Sequence, residues 1–123
     1  MKIRDHRDLR VYQLAFECAM EIFHLTSHFP KEEKYSLTDQ IRRTSRSVCA
    51  NMSEAFRKRR YPKSFIAKLV DSEGEAGETQ TWLQFSVESK YAEKEKADAL
   101  SEKYNLIISQ LITMENQPEK WSV

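Results

Sequence analysis

Lys94-Glu95-Lys96-Ala97-Asp98-Ala99-Leu100-Ser101-Glu102-Lys103-Tyr104-Asn105-Leu106-Ile107-Ile108-Ser109-Gln110-Leu111-Ile112-Thr113-Met114 sets Ala97, Leu100, Tyr104, Ile107, Leu111 and Met114 at spacings of 3, 4, 3, 4 and 3. Alternating steps of three and four keep one apolar side chain per turn on a single stripe, the heptad seam along which helices pack. A helix with one seam needs partners, and the chain upstream supplies three. Pro62 suits a first helical position, where its missing N–H would be unpaired anyway, and it opens a segment with Phe65, Leu69, Ala76, Leu83 and Val87 inward. Within that segment Gly74 and Gly77 each cost about 1 kcal/mol relative to Ala, so close approach by a neighbouring helix is expected there. Further upstream, Ser36 and Asp39 read as an N-cap with an acidic first turn, ahead of the inner stripe Leu37, Ile41, Val48, Met52 and Ala55. The first segment repeats Val11, Ala15, Cys18, Ile22, Leu25 and Phe29, with Tyr12, Phe16, Ala19 and Phe23 widening the apolar surface beyond one seam. Phe29-Pro30 breaks it.

The reading is all-α: an antiparallel up-and-down four-helix bundle forming a single domain over 1–123, with helices at about 8–28, 37–59, 62–89 and 94–117. The tail from Pro118 is expected to be loose, unless Trp121 docks on a neighbour. Composition agrees. Of 123 residues only 5 are Gly or Pro, against roughly 12% in average usage, too few for a sandwich, a barrel or a Gly-rich phosphate loop. Charged residues at 32% beside 40% hydrophobics fit amphipathic helices with solvated outer faces. No run approaches the ~18 apolar residues of a membrane span, and Met1 to Arg7 lacks the apolar stretch of a secretory signal. Cys18 and Cys49 lack Cys-x-x-Cys spacing and read as reduced, semi-buried thiols of a cytoplasmic protein.

The net charge of +1 conceals a strong asymmetry, because residues 36–70 carry 9 basic and 2 acidic side chains while 71–103 carry 4 and 9. Arg42, Arg43, Arg46 and Arg57 fall on the side of the second helix away from Ile41 and Val48, and Lys58, Arg59, Arg60, Tyr61 and Lys63 carry the charge through the turn. Guanidinium forks on such a stripe match phosphate, and each phosphate neutralised releases counterions. These eight basic residues are the candidate nucleic-acid contacts. The competing use is self-neutralisation by Asp39 with Arg43, by Glu54 with Lys58, and by the acidic third helix. Asp71, Glu75 and Glu78 of that helix form an acidic face beside Trp82, which offers a partner to the basic stripe of another copy.

Catalytic chemistry finds little footing. Glu21-Ile22-Phe23-His24 has the Glu-x-x-His form of diiron bundles, but a metal cage needs a second copy, and every histidine precedes residue 29. No arginine is followed by His at the spacing of helical-bundle ribonucleases, and there is no nucleophile triad, phosphate loop or zinc motif. No cofactor, metal or catalytic residue is expected. Asn51, Glu73 and Gln80 lean inward and read as an interhelical polar network with Thr44, Ser45, Thr79 or Tyr104.

Three blocks carry a resemblance. They are Arg7-Asp8-Leu9-Arg10-Val11-Tyr12-Gln13; Phe29-Pro30-Lys31-Glu32-Glu33-Lys34-Tyr35-Ser36-Leu37-Thr38-Asp39-Gln40-Ile41-Arg42-Arg43; and Ser47-Val48-Cys49-Ala50-Asn51-Met52-Ser53-Glu54, followed by Phe65-Ile66 and Glu78-Thr79-Gln80. Over nearly its whole length the chain resembles the four-helix bundle proteins encoded in intervening sequences of bacterial 23S ribosomal RNA genes. Their relatives are the accessory variability proteins of diversity-generating retroelements. The resemblance implies a homo-oligomer, a pentameric ring of bundles, with nucleic acid and a reverse transcriptase as partners and no established catalysis. Three departures stand out: Ala55 where the family usually carries Gly, Lys90-Tyr91 where it carries a Gly-Tyr turn, and Gly74 and Gly77, which replace more ordinary residues around the Glu-Thr-Gln element. The expected function is therefore a non-enzymatic, oligomeric RNA- or DNA-binding module without sequence specificity. The alternative is a structural or protein-interaction bundle whose basic and acidic faces pair between subunits, with no nucleic acid.

Overall fold

The computed structural model describes residues 3–121; Met1 and Lys2, where the reading of the N-terminus begins, lie outside it, as do Ser122 and Val123. Four helices run α1 (Arg10–Thr26), α2 (Leu37–Arg57), α3 (Pro62–Glu88) and α4 (Lys94–Glu115), with short 3-10 turns at His6–Asp8, Lys31–Glu33 and Pro118–Lys120. Each helix packs on the one before it, and α1 closes the square against α4. This is an all-α four-helix bundle in up-and-down order. Among the described residues no helix is long and apolar enough to cross a membrane.

All six seam residues of α4 are buried, as are Leu37, Ile41, Val48, Met52 and Ala55 of α2 and Phe65, Leu69, Ala76 and Leu83 of α3. Cys18 and Cys49 are free thiols packed in the same core, and burial pushes both up to about 12, so neither ionises near neutrality. Polar groups at the helix crossings pair across them. Ser72 Oγ donates to the Val48 carbonyl at 2.7 Å, and Thr79 Oγ1 donates to Thr44 Oγ1 at 2.9 Å.

Helix ends depart from the sequence reading in instructive ways. Asp5 and Asp8 form a capping box on the first 3-10 turn, so α1 starts at Arg10 and not at Asp8. Ser36 does not cap α2 with its side chain: its hydroxyl donates to Glu33 Oε1 at 2.6 Å, and Glu33 receives the Leu37 N–H at 3.4 Å. The Tyr91 hydroxyl also donates to Glu33, at 2.9 Å. These bonds, Ser36 first, hold the Glu33 carboxyl below its ordinary range. Gly74 and Gly77 are not sites of close approach, because a Cβ at either would meet nothing within 4 Å. Their helix-propensity cost of about 1 kcal/mol each is not offset inside this chain. Trp121 packs against the core after the Pro118–Lys120 turn.

Candidate nucleic-acid interface

The basic residues grouped by periodicity separate into two populations once their partners are known. Arg42 Nε donates to Thr26 Oγ1 at 2.7 Å, its Nη2 reaches the Phe23 carbonyl at 3.2 Å, and the guanidinium lies 4.7 Å from the Phe23 ring centroid. It closes the C-terminus of α1, where a cation meets both the helix dipole and an orphan carbonyl. Arg43 turns the other way, donating to Gln40 Oε1 at 3.2 Å and approaching Glu78 at 3.6 Å and Glu75 at 3.9 Å. Burial pushes the Glu75 carboxyl up, with Arg43 pulling it back. Arg59, in the turn after α2, folds back over the end of that helix, with Nη1 on the Phe56 carbonyl at 3.0 Å and the guanidinium 3.7 Å from the Phe56 ring centroid.

Arg46, Arg57, Lys58, Arg60 and Lys63 make no ion pair among the described residues, and all five are exposed. Four of them gather at the α2–α3 turn. The acids beside that turn are occupied, since Lys68 Nζ bridges Glu54 at 2.9 Å and Asp71 at 3.8 Å. The expected pairs Asp39 with Arg43 and Glu54 with Lys58 do not form; each basic or acidic partner is taken by a residue of α3. The acidic face of α3 is thus engaged within its own chain by Arg43 and Lys68. Between Phe56, Arg57, Arg59, Arg60 and Tyr61 lies an open pocket of about 390 Å³.

The inward polar residues do not form one network. Gln80 Nε2 donates to the Ser101 carbonyl at 3.0 Å and to Asn105 Oδ1 at 2.8 Å, while Asn51 Nδ2 donates within α2 to the Ser47 carbonyl at 3.0 Å. Glu73 instead faces Glu115 at the end of α4; burial, then the neighbouring Glu73 carboxylate, pushes the Glu115 carboxyl up to about 7. Glu21 of the Glu-x-x-His pair accepts from Lys103 Nζ at 2.9 Å, and His24 is exposed with its ring edge-on to Phe23. No group of three His, Cys, Asp or Glu is placed to hold a metal among the described residues. The residues unforeseen from the sequence are Lys68, Glu115 and Asn105, whose roles depend on cross-helix register.

The model of the 23S rRNA-intervening sequence protein family matches residues 7–113, which is most of the chain. The protein belongs to that family. Its bundle is also similar to the crystal structure of a protein of unknown function from the S23 ribosomal protein family of Bacteroides thetaiotaomicron VPI-5482. The two superpose with a TM-score of 0.77 at 28% identity, over 86% of this chain and 95% of that one. No curated protein matches the chain. Within the Phe29–Arg43 block, Glu33 ties Ser36, Leu37 and Tyr91 together, and Arg42 closes α1.

Proposed function

We propose that this member of the 23S rRNA-intervening sequence protein family is a nucleic-acid-binding module. It holds RNA or DNA by its phosphates, without reading sequence and without catalysis, in a cytoplasmic setting. The observation that carries the reading is the group Arg57, Lys58, Arg60 and Lys63, none of which forms an ion pair among the described residues; Lys68 bridges the nearby acids Glu54 and Asp71, and Lys58 adds only a longer-range attraction to Glu54. Four exposed cations without an ion pair at one turn fit a polyanion better than a solvated surface, because phosphate contacts position a ligand through charge alone. Arg46 extends the surface along α2, whereas Arg42 ties α2 to α1, Arg43 ties it to α3, and Arg59 is held locally against Phe56.

The protein works as a homo-oligomer in the same proposal, a ring of five by the family resemblance, with a reverse transcriptase as a further partner class. A groove of about 390 Å³ between α1 and α2 favours self-association. Phe16, Met20 and Phe23 on its α1 wall are 52%, 43% and 37% exposed.

Binding of a structured RNA between about 50 and 200 mM salt tests the phosphate reading, since neutralising four or five phosphates predicts roughly a hundredfold loss of affinity across that range. Arg57→Glu with Arg60→Glu lowers the affinity more than tenfold and flattens the salt slope by about two, one for each phosphate no longer neutralised. Arg43→Ala leaves the slope unchanged. A folded double variant with the affinity and slope of the parent sinks the proposal.

A further inference from the structure

Tyr61 stands among the free cations. It precedes Pro62 at the start of α3, is 61% exposed, and its side chain makes no hydrogen bond or ring contact among the described residues. An exposed tyrosine alone means little, but the chemistry around this one is specific. Its neighbours in the pocket are Arg57, Arg59, Arg60 and Phe56. Arg59 is held by the Phe56 carbonyl at 3.0 Å and lies 3.7 Å from the Phe56 ring centroid, so a positioned planar cation forms one wall. A free aromatic ring and a clamped guanidinium both bind the faces of nucleobases, by stacking and by cation–π attraction.

A duplex keeps those faces inside its own stack. Base faces become available only where a strand is single, looped or bulged. Resting on the phosphate-binding reading above, we propose that the α2–α3 turn is a pocket for an unpaired nucleotide. The base stacks on Tyr61 while Arg57 and Arg60 take the flanking phosphates. The ligand class is single-stranded or looped nucleic acid, and the surface selects it over duplex by the accessibility of the base.

Fluorescence anisotropy with a labelled uridine oligomer of about 12 nucleotides, a length within the span of known single-strand sites, and an RNA duplex of equal length tests this. Tyr61→Ala weakens binding of the single strand by about 5- to 100-fold, the range for loss of one stacked base, with the salt slope intact and duplex binding unchanged. Tyr61→Phe keeps the ring and restores affinity, which separates stacking from any effect on folding. Arg57→Glu with Arg60→Glu weakens both ligands. If Tyr61→Ala leaves single-strand binding unchanged while the double reversal weakens it, the pocket is overturned and the phosphate reading stands. If neither variant changes binding, or none occurs at low salt, both fall. A drop in light-scattering mass on Tyr61→Ala makes Tyr61 a subunit contact and overturns the pocket.

Discussion

Arg42 and Arg46 lie one helical turn apart, yet Arg42 closes a helix end and Arg46 is free, because periodicity fixes direction around an axis and not what lies within reach. The Arg42 guanidinium stands level with the end of α1 and reaches one of its last carbonyls; Arg46, one turn further along, lines the α1–α2 groove and meets no such end. Lys90 shows the complementary case, where the backbone itself makes a specific demand on the residue. Its φ is 65°, the left-handed region, and it follows the Ser89 C-cap of α3. There the Tyr91 N–H bonds the Ser86 carbonyl and the Lys90 N–H bonds that of Val87, both at 2.9 Å, in a Schellman arrangement. Lysine carries a steric penalty in this conformation that glycine avoids, and the Lys90 side chain is exposed. Lys90→Gly therefore raises stability by about 1 kcal/mol. An unchanged or lower urea midpoint contradicts this.

At the scale of elements, the four helices and their inner faces were legible because each buried side chain recurs with the helical period and Pro62 marks a start. The cross-helix partners were not, since Glu73 with Glu115, Gln80 with Asn105 and Lys68 with Glu54 depend on how helices slide against each other. Gly74 and Gly77 misled for the same reason: a glycine announces freedom of approach but not whether a neighbour uses it. The α3–α4 carboxyl pair makes a pH prediction. Glu115 is raised from 4.5 to about 7 by burial and by the neighbouring Glu73 carboxylate, so between those values the folded chain holds a proton that the unfolded chain has released. Stability then falls as pH rises through that window, by roughly 1–2 kcal/mol after allowance for solvent screening. Asp5, held low by Arg7, and Glu54, held low by Lys68, act in the opposite sense at more acid pH. Glu115→Gln keeps a donor for Glu73 and removes the loss, so its urea midpoint exceeds that of the parent at about pH 8 and matches it at about pH 4.5. Parallel stability profiles for the two proteins refute the assignment.

Across the whole molecule, two forces compete to assemble copies of the chain, and they respond oppositely to salt. Pairing of the basic stripe with the acidic face of a neighbour would use the +7 of residues 36–70 against the −5 of 71–103. Yet Arg43 and Lys68 already engage that acidic face internally, and the remaining cations cluster at the α2–α3 turn. The groove walled by Phe16, Met20 and Phe23 keeps these side chains 52%, 43% and 37% exposed even though Arg42 lies over the Phe23 ring, and burying exposed apolar area gains about 25 cal/mol per Å². Assembly through the groove predicts a light-scattering mass above one chain at micromolar concentration that persists in about 1 M salt, where exposed charges are screened within ~3 Å. Assembly by charge predicts dissociation under the same conditions. Phe16→Glu places a carboxylate in the groove without touching the core, so it yields single chains with unchanged helical circular dichroism. Parent protein that runs as one chain excludes constitutive assembly, and a Phe16→Glu oligomer of parental mass moves the interface off α1.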